Sequence, residues 1–226
     1  MASGVGVRAP DSPAGAAEAP TAEGAPCWDR EVLVAAGYTR CEHCEADFGA
    51  ARQIRAIVWH AMEGQFARAI ARWNTGVAAA HLCILRTGEV VLTCPLEHAA
   101  WHAGTQASPS RPGYGRTAFW RRHNINPYSC GVELEGFSAV GFTDEQIAAC
   151  IRVAGWLTDR FSIRPKHTID QIDGHHLHSE ISASRSDPGP CFPLARILAA
   201  IRHEREGRSR FPRRQPLPAA REGVAR

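Results

Sequence analysis

The chain has 226 residues, a length that suits one domain with tails and that can bury a core without disulfides. Hydrophobic residues make up 44% of it and charged residues 22%, which is typical of a globular protein, and the net charge of +3 is too small to indicate a nucleic-acid partner. No apolar run approaches the length of about 18 residues that a membrane span needs, so we expect no such span. The expected oligomeric state is a monomer.

Both ends of the sequence are predicted to be disordered. Residues 1–26 are rich in Ala, Gly, Pro and Ser, and residues 207–226 carry several arginines among prolines. No basic stretch followed by an apolar one opens the chain, so no secretory signal is predicted and the cytoplasm is the default location. Action on a cell wall after release or non-standard export stays open. Residues 27–206 are predicted to form the single domain.

The first half of this domain is predicted to supply most of the strands. An apolar run at 54–59 indicates a buried strand, and 65–73 indicates a helix. Two short strands at 81–85 and 90–93 flank a turn signature and predict a hairpin. In a further strand at 129–134, valine and leucine alternate with glutamate.

The clearest helix begins after Thr143, which with Gln146 matches a capping box, and its apolar spacing continues to Phe161. A weaker strand is predicted at 169–174 and a last helix from Leu194 to about Glu204. Strands that alternate with helices, together with one hairpin, predict an α/β fold with a single mixed β-sheet flanked by helices.

The eight cysteines do not form a single recognisable framework. Those in apolar segments are predicted to be small buried side chains: Cys83, Cys130 and Cys150. Near the N-terminus, Cys41 and Cys44 form a Cys-x-x-Cys pair with Cys27 upstream. We rank free thiols first for these three, a disulfide second and a structural zinc third, because a structural zinc needs four ligands.

The chemistry of the chain centres on His178 and Asp187, which lie nine residues apart, just before a Pro-Gly turn. Another histidine, His60, ends the apolar run far upstream. Two imidazoles and one carboxylate form a three-ligand set that leaves a fourth zinc position open for water, as in catalytic rather than structural zinc sites. The sequence therefore predicts a zinc hydrolase.

Five segments, in this order, resemble the zinc-dependent N-acetylmuramoyl-L-alanine amidases, a family that includes the peptidoglycan-recognition proteins and T7-type lysozyme. They are 57–64 (IVWHAMEG), 80–88 (AHLCILRTG), 100–104 (AWHAG), 128–134 (YSCGVEL) and 178–190 (HSEISASRSDPGP). The resemblance covers about residues 54–200. It implies a peptidoglycan-recognition-protein-like amidase fold, a bound Zn²⁺, and a bacteriolytic or peptidoglycan-degrading activity.

The resemblance assigns His60, His178 and Asp187 to the zinc site. The second ligand has alternatives, because the family pattern places Gly before this histidine and ten residues between it and the aspartate. His178 is nine residues from Asp187, whereas His175 follows a glycine but is twelve residues away. We therefore rank His178 first, His175 second and His176 third.

Glu133 resembles the family's catalytic glutamate, and a carboxylate beside zinc-bound water can accept its proton. Glu135 shares its predicted strand face and is the competing candidate. Arg185 stands where many family members have lysine. It keeps the charge that can stabilise an oxyanion, but an arginine does not readily donate a proton to the leaving amine.

His81, Trp101 and His102 resemble residues of the substrate groove, although Trp101 could equally be a core residue and His81 a support for a ligand. Together, these assignments predict zinc-dependent hydrolysis of the amide between N-acetylmuramic acid and L-alanine, in peptidoglycan or in muropeptides. The alternative is a non-catalytic peptidoglycan-binding recognition module. The presence of both Asp187 and Glu133 favours the enzyme.

Overall fold

The computed structural model describes residues 53–74, 78–103 and 115–210. The predicted disordered segment 1–26, the cysteines at 27, 41 and 44, and the part of the basic tail after Arg210 lie outside the described residues. Within the described ranges, no helix has both the length and the apolar character needed to cross a membrane.

Five strands form one mixed sheet, as predicted. They are β1 (Ala56–Ala61), β2 (Leu82–Ile84), β3 (Val90–Leu92), β4 (Ser129–Leu134) and β5 (Gly174–Leu177), in the spatial order β3-β2-β4-β1-β5. β1 lies at the centre of the parallel part, between β4 and β5, and β3 pairs antiparallel with β2. The predicted strands at 54–59 and 129–134 and the predicted hairpin are therefore confirmed.

Four α-helices accompany the sheet: α1 (Phe66–Trp73), α2 (Asp144–Phe161), α3 (His178–Ile181) and α4 (Leu194–Arg210). A short 3-10 helix, Asn126–Tyr128, precedes β4. The capping box before α2 is confirmed, because Thr143 accepts a hydrogen bond from the Gln146 amide and the Gln146 side chain accepts one from the Thr143 amide. α4 continues beyond its predicted end near Glu204.

The predicted strand at 169–174 is wrong. The chain forms bends there, with Ile169 52% exposed, and the strand begins only at Gly174. β5 has the sequence Gly-His-His-Leu, and its histidines fill buried positions that apolar residues would otherwise fill. Apolar periodicity therefore placed the strand too early in the sequence.

The two faces of the sheet differ in chemistry. The apolar face carries Ile57 and Trp59 of β1 beside Val132 and Leu134 of β4, and α2 and α4 cover it. Full burial of such side chains stabilises the fold by about 1.5–3 kcal/mol each. The opposite face, called the histidine face below, carries His60 of β1, which is paired in register with Glu133 of β4.

Candidate active site

Three side chains converge at the carboxyl end of β1 and β5. His60 lies near the end of β1, His178 begins α3 directly after β5, and Asp187 lies in the following loop. All three are buried, and one ligand atom from each lies within 4.8 Å of the others. Nδ1 of His178 is 3.1 Å from Oδ2 of Asp187, and Nδ1 of His60 is 3.6 Å from the same oxygen.

The backbone holds Asp187 in this group. The amide of Ala61 donates to its Oδ2 over 3.3 Å, and its carbonyl accepts from the amide of Ser179 over 2.8 Å. Burial opposes the charge of Asp187, but the hydrogen bond with His178 and the proximity of the His60 ring outweigh it and hold the pKa of Asp187 well below its usual value. Burial and the neighbouring His178 lower the pKa of His60 to about 4. The cluster therefore presents a carboxylate and a neutral imidazole, as a metal requires.

His175 and His176 lie away from this cluster. His175 is on the apolar face, where its Nδ1 accepts from Nε1 of Trp59 over 3.3 Å. His176 is on the histidine face, but its ring nitrogens lie 2.7 Å from the Thr168 carbonyl and 2.8 Å from the Ile172 carbonyl. Of the three histidines ranked from the sequence, only His178 contacts Asp187.

Glu133 of β4 is paired in register with His60 of the neighbouring strand β1. Its Oε2 is buried and has no hydrogen-bond partner among the residues that the structure describes. Burial, and then the negative charge of Asp187, raise the pKa of Glu133 to about 8. Both oxygens of Glu135, by contrast, accept backbone hydrogen bonds, from Phe66 over 3.0 Å and from Arg86 over 3.1 Å. Of these two glutamates, Glu133 is therefore the one with an oxygen available for chemistry.

Arg185 lies exposed in the loop between α3 and Asp187. Its charge lowers the pKa values of both Glu133 and His60, so it acts on the site electrostatically. Arg116, which the sequence did not single out, donates to the carbonyl of Ser179 and, over 3.5 Å, to that of Arg185. It holds the loop in place from a segment distant in sequence, and no local pattern marks it.

The three predicted groove residues are placed differently from one another. Trp101 is half-buried, whereas His81 and His102 are buried within the histidine face. His81 accepts from the amide of Gly131 over 2.9 Å and lies 3.0 Å from the His98 carbonyl. Nδ1 of His102 is 3.1 Å from Nε2 of His60. The contact of these residues with substrate stays a prediction.

A family model described as N-acetylmuramoyl-L-alanine amidase matches residues 50–190. The 1,6-anhydro-N-acetylmuramyl-L-alanine amidase AmpD of Enterobacter cloacae is 33% identical over 124 residues, which cover 54% of this chain and 57% of that protein. AmpD of Escherichia coli K12 is 31% identical over 127 residues, covering 56% of this chain and 60% of that protein. The chain thus spans less than two thirds of the length of these relatives.

Two solved structures share the fold. AmpDh3 of Pseudomonas aeruginosa, in complex with an anhydromuramic pentapeptide, has a TM-score of 0.50 at 21% identity, covering 83% of this chain and 82% of that one. AmiD of E. coli, in complex with anhydro-N-acetylmuramic acid-L-Ala-D-γ-Glu-L-Lys, has a TM-score of 0.51 at 23% identity, covering 68% and 59%. The likeness confirms the predicted amidase-like fold.

Proposed function

The chain belongs to the N-acetylmuramoyl-L-alanine amidase family, and from that premise we propose that it is a zinc-dependent hydrolase of the amide between N-acetylmuramic acid and L-alanine. One observation carries the proposal. The buried group of His60, His178 and Asp187 lies on the same face of the sheet as Glu133, a carboxylate with a free buried oxygen.

The three residues fit a zinc ion. Two imidazole nitrogens and one carboxylate oxygen make a donor set that suits zinc. Nδ1 of His60 has no hydrogen-bond partner among the described residues, as expected of an atom reserved for a ligand. Zinc bound there would polarise the substrate carbonyl and lower the pKa of water to about 7. His178 is the proposed second ligand, supported by its contact with Asp187.

Glu133 is the proposed proton acceptor. A general base works best when its pKa lies near the operating pH, and burial raises the pKa of Glu133 to about 8. The leaving amine needs a proton that the Arg185 guanidinium does not supply. Glu133 can carry the proton taken from water and return it to the departing nitrogen.

Arg185 is the proposed electrostatic partner of the reaction. Its positive charge already acts on Glu133 and His60 across the site. A tetrahedral intermediate at an amide carries negative charge on its oxygen, and a cation nearby stabilises that charge. Hydrogen bonds from Arg116 to the loop restrict how far Arg185 can move from this position.

The proposed substrate is a soluble anhydro-muropeptide. The curated relatives are called 1,6-anhydro-N-acetylmuramyl-L-alanine amidases, and two structural neighbours were solved with anhydromuramyl peptides bound. Of the three residues predicted to line the groove, the half-buried Trp101 is the one proposed to contact substrate, because His81 and His102 are buried. A cytoplasmic location and a monomeric state stay predictions.

The direct test is product analysis by mass spectrometry. Purified chain with zinc should release the stem peptide from an anhydro-muropeptide, and faster than from intact cell wall. Glu133→Gln in the same assay provides the matched control. Binding of the muropeptide without release would support the alternative, a non-catalytic recognition module. Faster release from intact wall would reverse the proposed substrate preference.

A further inference from the structure

A chain of hydrogen bonds runs from His60 into the interior of the protein. Nε2 of His60 is 3.1 Å from Nδ1 of His102, and Nε2 of His102 is 3.0 Å from Oγ of Ser129. Ser129 Oγ in turn donates to the carbonyl of Ile125 over 2.9 Å. All three side chains are buried. This chain therefore connects a proposed zinc ligand to a fixed backbone carbonyl.

The hydrogen bond from Ser129 to the Ile125 carbonyl determines which nitrogens of His102 and His60 carry a proton. A carbonyl only accepts, so the single hydroxyl proton of Ser129 points at Ile125, and Ser129 must accept from His102. His102 therefore carries its proton on Nε2. A neutral imidazole has one N–H, so Nδ1 of His102 is an acceptor and Nε2 of His60 is the donor to it.

The same logic leaves Nδ1 of His60 without a proton. Its lone pair then lies on the side of the ring that faces Asp187, whose Oδ2 is 3.6 Å away, and His178, whose ring centroid is 4.3 Å away. Only the neutral nitrogen with a free lone pair can bind a metal. The hydrogen bonds within the protein thus select the tautomer that a zinc ligand needs.

The residues packed around His102 hold its ring in position for the hydrogen bond with His60. A Cβ added at Gly131 would lie 2.5 Å from Cγ of His102, so only glycine leaves room for the ring. On another side, the ring of His81 packs edge-on against His102 at 5.6 Å and is itself held by the Gly131 amide. The position of His102 is therefore fixed by β4 and by its neighbour.

We propose that His102 is a positioning residue that accepts a hydrogen bond from His60 and so directs Nδ1 of His60 toward the zinc ion. This inference rests on the zinc site of the proposed function. It assigns His102 a role through His60, in place of the direct contact with substrate that the sequence predicted.

Two variants of nearly equal shape separate hydrogen bonding from packing. His102→Asn keeps an acceptor close to the position of Nδ1, whereas His102→Leu removes it. The measurement is zinc affinity, by competition with a chromophoric chelator. Loss of a hydrogen-bond partner behind a ligand weakens metal binding about 10–100-fold, so we expect that loss for His102→Leu and a clearly smaller one for His102→Asn.

His176→Leu is the matched control. His176 is also buried on the histidine face with both ring nitrogens near carbonyls, but it has no bond to His60. Its substitution should lower stability and leave zinc affinity unchanged. Equal weakening by His102→Asn and His102→Leu would overturn the inference in favour of packing, and unchanged affinity in both would overturn it outright.

A second measurement needs no variant. Nitrogen-15 NMR of the metal-free protein should show the proton of His60 on Nε2, and a proton on Nδ1 would overturn the inference. Wild-type protein that binds no zinc would overturn both this inference and the zinc part of the proposed function. Wild-type protein that binds zinc but releases no stem peptide would overturn the proposed activity alone, and the positioning role of His102 would stand.

Discussion

The two faces of the sheet are stabilised in different ways. On the apolar face, Ile57, Trp59 and Leu134 pack against α2 and α4, and the stabilisation comes from area removed from water. On the histidine face, His60, His102 and Ser129 fill buried positions and form hydrogen bonds with one another. The first kind of packing tolerates a change of shape at moderate cost, whereas the second depends on donors and acceptors in fixed places.

This difference separates stability from chemistry along single strands. β1 places Trp59 on one face and His60 on the other, and β4 does the same with Val132 and Glu133. Substitutions on the apolar face should therefore change the free energy of unfolding, and those around His60 should change metal binding and turnover. Four experiments test that division, in order of decreasing expected effect.

The largest contrast is between two histidines three residues apart. His178→Ala should remove zinc binding and lower turnover by about 10⁴-fold or more, because the metal supplies several kcal/mol of transition-state stabilisation. His175→Ala, on the apolar face, should lower stability but keep zinc. Zinc content by elemental analysis, with turnover on a muropeptide, distinguishes the two. Loss of zinc in His175→Ala and its retention in His178→Ala would reverse the assignment.

A second contrast compares two glutamates at the carboxyl end of β4, Glu133 within the strand and Glu135 directly after it. Glu133→Gln should lower turnover about 10²–10⁴-fold with zinc retained, since the amide cannot take a proton. Glu135→Gln should mainly lower stability, because the carboxylate oxygens of Glu135 accept hydrogen bonds from the backbone amides of Phe66 and Arg86. Steady-state rates at saturating zinc provide the measurement. Equal rates for wild type and Glu133→Gln would remove Glu133 from the mechanism.

The buried histidines should make the metal-free protein less stable in acid. Burial lowers the pKa of His175 to about 3, from an ordinary value of 6.5. Above pH 6.5, His175 is neutral in both the folded and the unfolded state, so its ionisation does not change the stability. As the pH falls from 6.5 toward 3, only the unfolded state binds the proton, so stability declines by about 1.4 kcal/mol per pH unit for this group.

Urea unfolding in the presence of a chelator measures this decline. His175→Asn keeps an acceptor for Nε1 of Trp59 but does not titrate, so its stability should fall less steeply between about pH 6.5 and pH 5. Parallel pH profiles for wild type and variant would show that His175 does not contribute.

The smallest effect is expected at the start of α2. Thr143→Ala removes the oxygen that accepts from the Gln146 amide and should lower the free energy of unfolding by about 1 kcal/mol. Zinc affinity should not change, because α2 packs on the apolar face. Thermal unfolding with a zinc titration checks both outcomes. A change in zinc affinity would show that the two faces are coupled through the sheet.

The sequence predicted the apolar face well, because alternation and helical spacing are local patterns. β4 and the capped helix α2 follow the predicted ranges closely, and Cys130 and Cys150 are buried as expected. β5 was misplaced because buried histidines, rather than apolar residues, mark it. The convergence of His60, His178 and Asp187 matches the grouping that the sequence resemblance implied, while their roles as ligands await the zinc experiments.

Contacts between segments that lie far apart in the sequence could not be predicted from local sequence patterns. Arg116 stands in none of the five family-like segments, and Ser129 lies in one of them without a role assigned from the sequence; each acts through a partner far along the chain. Gly131 did carry a signal, since glycine inside a strand often marks the close approach of another group. The identity of that group, the ring of His102, became visible only with the packing of the histidine face.

Gly131 also restricts the order in which substitutions can accumulate during divergence. While histidine occupies position 102, alanine at 131 meets the ring and is excluded. A smaller residue at 102 would open position 131 to alanine, but once alanine is present a histidine at 102 can no longer be accommodated. The two positions are therefore coupled, and a lineage with alanine at position 131 can regain the histidine behind His60 only after glycine has returned at 131.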